Sequence, residues 1–381
     1  MNPVMCVVGA RPNFIKMAPL LRAMASHRPA LPTVLVHTGQ HYGNGMSDQL
    51  FETLALREPD VNLQVGSGSH ALQTAEVMRR FDPLIDSYKP SCLTVVGDVN
   101  STLACALVAA KRGVPIAHVE SGLRSRDRTM PEEINRILTD QVSDRLYTTE
   151  RAAITNLLRE GISQKRIVFA GNVMIDSVAH SLSRACSALE TLNKHGVEAS
   201  FLDDPQGYGV VTLHRPSNVD DATALRHCLG VLGEVAARIP LVFIMHPRTQ
   251  ESITRFALEP LLAAMPVAVL PPQGYLEMLG LLARARMVLT DSGGLQEETT
   301  ILGVPCLTLR ENTERPITVE QGTNTLVGSD RDAILKAVDA VLRGRSKRGR
   351  IPELWDGHAA ERIAADMYHW LHTQSRESHP S

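Results

Sequence analysis

MVLTDSGGLQEETTIL, residues 287–302, is the stretch on which the fold turns. The apolar run Met287–Thr290 passes through Asp291-Ser292-Gly293-Gly294 straight into a helical segment. A short buried-type strand joined by a glycine turn to a helix is half of a βαβ unit. The same alternation extends to both sides. Strands are expected near 209–213 (GVVTL), 241–245 (LVFIM), 267–270 (VAVL), 305–308 (PCLT) and 325–327 (TLV). Helices at about 221–237, 250–264, 275–284, 295–302 and 331–343 separate them.

The first half of the chain carries an earlier round of the pattern. Its strands are expected at 4–8 (VMCVV), 33–37 (TVLVH), 92–96 (CLTVV), 116–119 (IAHV), 145–148 (RLYT) and 167–170 (IVFA). Helices are expected at 13–26, 46–56, 71–87, 101–112, 132–142 and 152–160. The chain therefore predicts an α/β protein of two doubly wound, Rossmann-like domains, divided near Gly171–Asp176. A Lys/Arg/Gly-rich turn at 343–350 precedes a final helix at about 358–372.

Composition narrows the function. Of 381 residues, 44% are hydrophobic and 21% charged, enough apolar surface to offset the entropy of ordering. Lys and Arg number 39 against 41 Asp and Glu, a net charge of −2, which argues against a general polyanion binder and leaves room for one small anionic ligand. Aromatic residues are 4% of the chain, too few for stacking platforms on single-stranded nucleic acid. No apolar run approaches the roughly 20 residues of a membrane span. The opening residues read as a core strand and not a signal peptide. The six cysteines include no C-x-x-C pair, so a reducing, cytoplasmic setting is expected.

In open parallel sheets the ligand lies at the carboxyl ends of the strands. Here those ends carry Arg11 and Lys16, Asp98, Glu120, His214 and Arg215, His246, and Asp291-Ser292-Gly293-Gly294. Any one of them suits an ordinary helix cap; their recurrence suggests a site for an anionic substrate. In Ser292-Gly293-Gly294 the glycines let backbone N–H groups approach a phosphate, and the helix that follows adds partial positive charge. Arg11, Arg315 and His214 can supply further donors. G-x-G-x-x-G and G-x-x-x-x-G-K-[ST] elements are absent from the sequence, which disfavours dinucleotide and P-loop readings. Glu297 and Glu298, one turn into the helix, can accept hydrogen bonds from vicinal hydroxyls or simply suit the helix dipole. Asp98, Glu120 and Glu132 are the acid/base candidates, Glu132 following Pro131 at a helix start. The dispersed histidines lack metal-ligand spacing, so no metal is expected, and His41 and His118 read as structural.

Taken in order, GARP…KMAP (9–19), HTGQH (37–41), GDVNST (97–102), HVESGLRS (118–125), MPEEINR (130–136), Gly171, Asn172 and Asp176, LHR (213–215), TDSGGLQEE (290–298) and TERP (313–316) resemble the non-hydrolysing UDP-N-acetylglucosamine 2-epimerases over nearly the whole chain. The resemblance implies a GT-B type of fold: residues 1–172, with a C-terminal helix within 355–373 packing back on them, facing a UDP-binding domain of residues 173–354 across a cleft. It implies reversible C2 epimerisation of a UDP-sugar by loss of UDP to a 2-acetamidoglucal and re-addition, with no cofactor. It implies Asp98, Glu120 and Glu132 as the acid/base set, with His214 assisting catalysis. Substrate contacts fall to Arg11, Lys16, Arg136, Gln273, Ser292, Gly293, Gly294, Glu298 and Arg315. It also implies a homodimer and domain closure over the glycal; from composition, neither a nucleic-acid nor a membrane partner is expected.

Three positions depart from the family pattern. Asn13 stands where many members carry Glu, and Met278 where an aromatic is common. Of the pocket in which many bacterial members bind a second UDP-GlcNAc as activator, Gln49 and His246 are retained, but Ser67–His70 replaces the expected Arg. Competing readings are a 2-epimerase of UDP-2,3-diacetamido-2,3-dideoxyglucuronate, a GT-B glycosyltransferase, a hydrolysing epimerase and a non-enzymatic nucleotide-sugar sensor.

Overall fold

A computed structural model gives the structure, which describes residues 2–39, 51, 53–54, 56–198, 202 and 204–377, with side chains to residue 373. The chain divides into two compact units, Met1–His180 with Glu353–Ser381, and Ser181–Pro352.

In the first unit, β1 (Val4–Val8), β2 (Thr33–His37), β3 (Val61–Asn62), β4 (Cys92–Val96), β5 (Ile116–Ser121), β6 (Arg145–Thr148) and β7 (Ile167–Phe169) form one parallel sheet in the order β3-β2-β1-β4-β5-β6-β7. β1 and β4 are buried along their whole length, as strands covered on both faces must be. One face packs Val7, Val36, Val95 and Ile116 against Phe81 and Val77 of helix His70–Tyr88 and Ala104 and Val108 of helix Asn100–Lys111. The last helix, Ala359–Glu377, packs against helix Arg11–Ser26 of the same unit. Asp176 accepts the N–H of Ala360 at 2.8 Å at the start of that helix, and Asp366 within it accepts from Arg145 and from the Tyr147 hydroxyl. Just before it, Trp355 is buried with its indole N–H on the Thr149 carbonyl.

The second unit is a parallel sheet of β8 (Gly209–Thr212), β9 (Leu241–Ile244), β10 (Val267–Leu270), β11 (Met287–Thr290), β12 (Cys306–Thr308) and β13 (Asn324–Leu326), in the order β10-β9-β8-β11-β12-β13. Leu229, Phe243, Leu289 and Val338 lie in the core of one face, Tyr208, Val242, Leu281 and Val288 in that of the other. In both sheets the order reverses beside the first strand, between β1 and β4 and between β8 and β11. These are the switch points at which doubly wound sheets hold ligands. Among the described residues, no helix is long and apolar enough to cross a membrane.

Several elements differ from expectation. The helix expected at 250–264 is two, Pro247–Arg255 and Glu259–Ala263, interrupted at Ala257, whose φ is 52°. The two-residue strand Val61–Asn62 and the helix Ala188–Lys194 were not expected from the sequence. The helix Val173–Ser181 runs through the expected division, and the units part at His180/Ser181 and Pro352/Glu353. Val173, Ile175 and Val178 are buried, and Asp176 binds the last helix, which ties this segment to the first unit. Most of the expected helix 46–56 and His41 lie outside the described residues.

Candidate active site

In the first unit the site is built at the ends of β1, β4 and β5. Val8 leads through Gly9 and Ala10 into helix Arg11–Ser26, which has Pro12 in its first turn. Asn13 takes the Ala10 N–H on its Oδ1 at 3.0 Å and donates to the Val96 carbonyl at 2.8 Å, which locks this helix start to the end of β4. Asn13 thus has a structural task here. One turn on, buried Lys16 forms an ion pair with Glu120 Oε2.

Glu120 sits in left-handed backbone, φ 69°, where β5 shifts register against β6. Such a conformation is uncommon outside glycine and is held only where the surroundings over-determine it. The surroundings here are a buried network around Asp140. Its carboxylate accepts from Gly122 N–H at 3.0 Å and pairs with Arg124 at 2.6 Å and with His118 Nδ1 at 2.7 Å. The other nitrogen of His118 lies 2.9 Å from the Gly97 carbonyl. His118 thereby joins the end of β4 to helix Pro131–Val142, as a hydrogen-bonded histidine of the kind expected.

Gly97 has φ 68°, and a Cβ added there would lie 3.6 Å from Lys16 Nζ, so the lysine passes directly over this turn. Asp98 follows. Its Oδ2 pairs with Arg136 at 2.5 Å, and Arg136 also pairs with buried Glu133 at 2.6 Å. Asn135 donates to the Asp98 carbonyl at 2.9 Å. Glu133 in turn accepts the N–H groups of Ser125 and Arg126, both at 2.9 Å, which closes the loop after β5 on helix Pro131–Val142. Glu132 is half-buried in the first turn of that helix, four residues before Arg136 and so on the same side. Thus Lys16, Glu120, Asp98 and Arg136 are brought together, and half-buried Arg11 opens the helix that carries Lys16.

In the second unit the site is built at the ends of β8 and β11. Asp291 has no exposed surface and accepts the backbone N–H groups of His214 and Arg215 at 3.0 and 2.9 Å and the Asn218 amide at 3.0 Å. Its Oδ1 lies 3.0 Å from His214 Nδ1. Burial pushes this carboxyl up, but the hydrogen bond and charge of His214 and the two backbone donors outweigh it and hold Asp291 below the usual carboxylate range.

Helix Gly293–Leu302 begins with Ser292 as its N-cap, and no side chain caps its first N–H groups. Such groups, with the helix dipole, suit an anion. Three arginines converge on Glu314 beside it: Arg310 at 2.9 Å, Arg315 at 3.2 Å and Arg215 at 3.7 Å. Arg315 also pairs with Glu297 at 2.9 Å, so Glu297 holds an arginine. A Cβ at Gly293 would overlap Glu314 Oε1, which is why the first helical residue is glycine. Glu298 is buried in the same helix. Gln273 is buried, donates to the Pro271 carbonyl at 2.7 Å and meets His195 Nε2 at 3.2 Å. Half-buried Met278 packs against the core of this unit.

His246 is exposed, caps helix Pro247–Arg255 through Nδ1 and stacks its ring 5.2 Å from that of His214. Gln49 lies outside the described residues. Sequence reasoning missed the supporting residues Asn135, Asp140, His195, Asn218, Arg310 and Glu314. Each acts through a partner remote in sequence or through a charge pairing that no spacing reveals, although MPEEINR, which contains Asn135, and TERP, which contains Glu314, were legible as motifs.

The comparisons bear on this arrangement. Residues 23–367 match the family model described as UDP-N-acetylglucosamine 2-epimerase. A UDP-N-acetylglucosamine 2-epimerase of Methanocaldococcus jannaschii is 40% identical over 94% of this chain and 96% of its own length. A UDP-2,3-diacetamido-2,3-dideoxy-D-glucuronate 2-epimerase of Pseudomonas aeruginosa is 41% identical over 95% of this chain and 98% of its own. The crystal structure of the Methanocaldococcus jannaschii UDP-GlcNAc 2-epimerase in complex with UDP-GlcNAc and UDP covers 96% of this chain and 99% of its own, with a TM-score of 0.87 and 39% identity.

Two parallel doubly wound sheets and neighbours of this kind define an enzyme of the GT-B-like, nucleotide-sugar class. Within that class the chain belongs to the UDP-N-acetylglucosamine 2-epimerase family, a family of isomerases.

Proposed function

We propose that the protein interconverts UDP-N-acetylglucosamine and UDP-N-acetylmannosamine at C2, without a cofactor. The observation that carries the reading is the pairing of Lys16 with Glu120 and of Arg136 with Asp98 at one sheet switch point. The N-terminus of helix Gly293–Leu302 at the other switch point, ringed by arginines, supplies the anion site. In this reading the first set works on the sugar and the second on the diphosphate of a nucleotide sugar. The C2 proton passes to a carboxylate as the C1–O bond breaks and its electron pair leaves with UDP, giving a 2-acetamidoglucal. A proton then returns to C2 on the other face and the diphosphate re-adds at C1.

Asp98, Glu120 and Glu132 are the acid/base set in this reading. Lys16 and Arg136 pair with Glu120 and Asp98 and aim them. Ser292, Gly293 and Gly294 offer N–H groups to the diphosphate, and Arg11, Arg315 and His214 add donors where its charge grows as it departs. Glu298 takes the ribose hydroxyls and Gln273 the uracil side. The enzyme works as a cytoplasmic homodimer, a setting that fits six free cysteines.

The 41% identity with the Pseudomonas aeruginosa diacetamidoglucuronate 2-epimerase favours a second reading, the same chemistry on that sugar. Chromatography of products from the two nucleotide sugars, each incubated alone with the enzyme, separates them. The proposal expects UDP-N-acetylmannosamine from UDP-N-acetylglucosamine; turnover of the diacetamidoglucuronate alone would replace it with the second reading.

A further inference from the structure

The turn Arg343–Arg350 has no part in the site above. Its sequence, RGRSKRGR, places five cations in eight residues of a chain whose net charge is −2. The turn is firmly held: Arg345 N–H donates to the Ala340 carbonyl at 2.8 Å and Arg350 N–H to the Gln321 carbonyl at 2.6 Å. A Cβ at Gly349 would lie 2.7 Å from the backbone of Gly322, so the chain is pressed against the residues that open β13. It therefore lies at the amino edge of the second unit's parallel sheet, whereas Ser292–Gly294 follows the carboxyl end of β11.

Other cations collect at that amino edge. Exposed Arg286, the residue before β11, donates to the Val341 and Leu342 carbonyls at 3.1 and 3.3 Å, just before the turn. The acidic groups beside the patch are Asp339, which pairs with Arg238 at 2.5 Å and with Arg343 at 3.9 Å, and Glu320, whose charge acts on Lys347. Arg345, Lys347, Arg348 and Arg350 are exposed, and among the described residues they form no ion pair. Ile351 follows them with 59% of its surface exposed.

Against the expectation of no membrane partner, we propose that this basic edge docks the enzyme on the surface of a bilayer of anionic phospholipid. Clustered Lys and Arg beside a charged bilayer each add to binding, and an adjacent exposed aliphatic side chain adds burial among the acyl chains. The turn contains no aromatic residue on which a base could stack, so a nucleic acid has less to hold. Docking through this edge leaves the carboxyl edge of the same sheet, with its anion site, turned away from the lipid.

The test is co-sedimentation of the full chain with vesicles of phosphatidylcholine alone or mixed with phosphatidylglycerol. Binding is expected only to the mixed vesicles and is lost by about 0.5 M salt, where screening is nearly complete. Substituting Gln for Arg345, Lys347, Arg348 and Arg350 together is expected to weaken it by more than ~10²-fold, at roughly fivefold per cation. Turnover of free nucleotide sugar by that variant stays at the wild-type level, which shows that it folds. Absence of phosphatidylglycerol-dependent binding, undiminished binding by the variant, or tighter binding to RNA than to the mixed vesicles would overturn the proposal.

Discussion

His214 Nδ1 lies 3.0 Å from Oδ1 of Asp291, a carboxylate with no exposed surface and held in place by two backbone N–H groups and Asn218. A ring that donates through Nδ1 presents Nε2 outward, so Asp291 sets both the tautomer and the direction of His214. Asp291→Asn replaces a fixed acceptor with an amide of ambiguous orientation. Turnover is expected to fall by about 10–10²-fold with a smaller change in KM, because the loss is one of alignment. Steady-state kinetics checks this; an unchanged kcat would reduce Asp291 to a packing role.

Asp98→Asn, Glu120→Gln and Glu132→Gln each keep the shape of the side chain and remove its basicity. Each is expected to lower kcat by at least ~10²-fold while UDP still binds. Turnover assays paired with UDP titration calorimetry separate the two effects. Wild-type turnover in all three would remove the acid/base assignment.

Gly293→Ala puts a methyl group against Oε1 of Glu314, a carboxylate whose two oxygens pair with Arg315 and Arg310. The carboxylate has no slack, so the helix start or the arginine cluster must shift. Overpacking of this kind costs about 1–3 kcal/mol, and the affinity for UDP is expected to fall by about 10–10²-fold. Calorimetry on the purified variant measures it directly; unaltered affinity would place the diphosphate elsewhere.

Burial pushes the Asp176 carboxyl up to about 6 from its ordinary 3.8, against the lowering effect of the N–H groups of Ala360 and Ala359. Between those values the folded chain holds a proton that the unfolded chain has released. This group's contribution to stability therefore falls as pH rises from about 4 through 6. Asp291 works in the opposite sense: its depressed value contributes stability that is lost as pH falls through it. The stability of Asp176→Asn minus that of the wild type is expected to rise by about 2–3 kcal/mol between pH 4 and pH 7, a difference read from denaturant unfolding at each pH. A constant difference would contradict the burial argument.

Much of this is legible in the sequence. The run Met287–Thr290 followed by Ser292-Gly293-Gly294 states a strand, a turn and a helix start in one line, and each long apolar strand repeats that grammar. The strand ends were legible for the same reason: a charged residue directly after an apolar run has only one edge on which to sit. What stayed hidden depends on tertiary partners. Asp140 lies 22 residues from His118, and nothing local marks it as the anchor of the Glu120 turn. Val61–Asn62 is too short to show a period. Helix Val173–Ser181 read as a boundary, because the attachment of Asp176 to a helix more than 180 residues later leaves no trace in its own neighbourhood.

The central claim is that a proton leaves and returns at C2 of the sugar. Proton NMR of UDP-N-acetylglucosamine incubated with the enzyme in D₂O tests it most directly. Loss of the C2 proton signal is expected as deuterium enters, together with the anomeric signal of UDP-N-acetylmannosamine. Formation of UDP-N-acetylmannosamine with the C2 proton fully retained, or no exchange and no product at all, would contradict it.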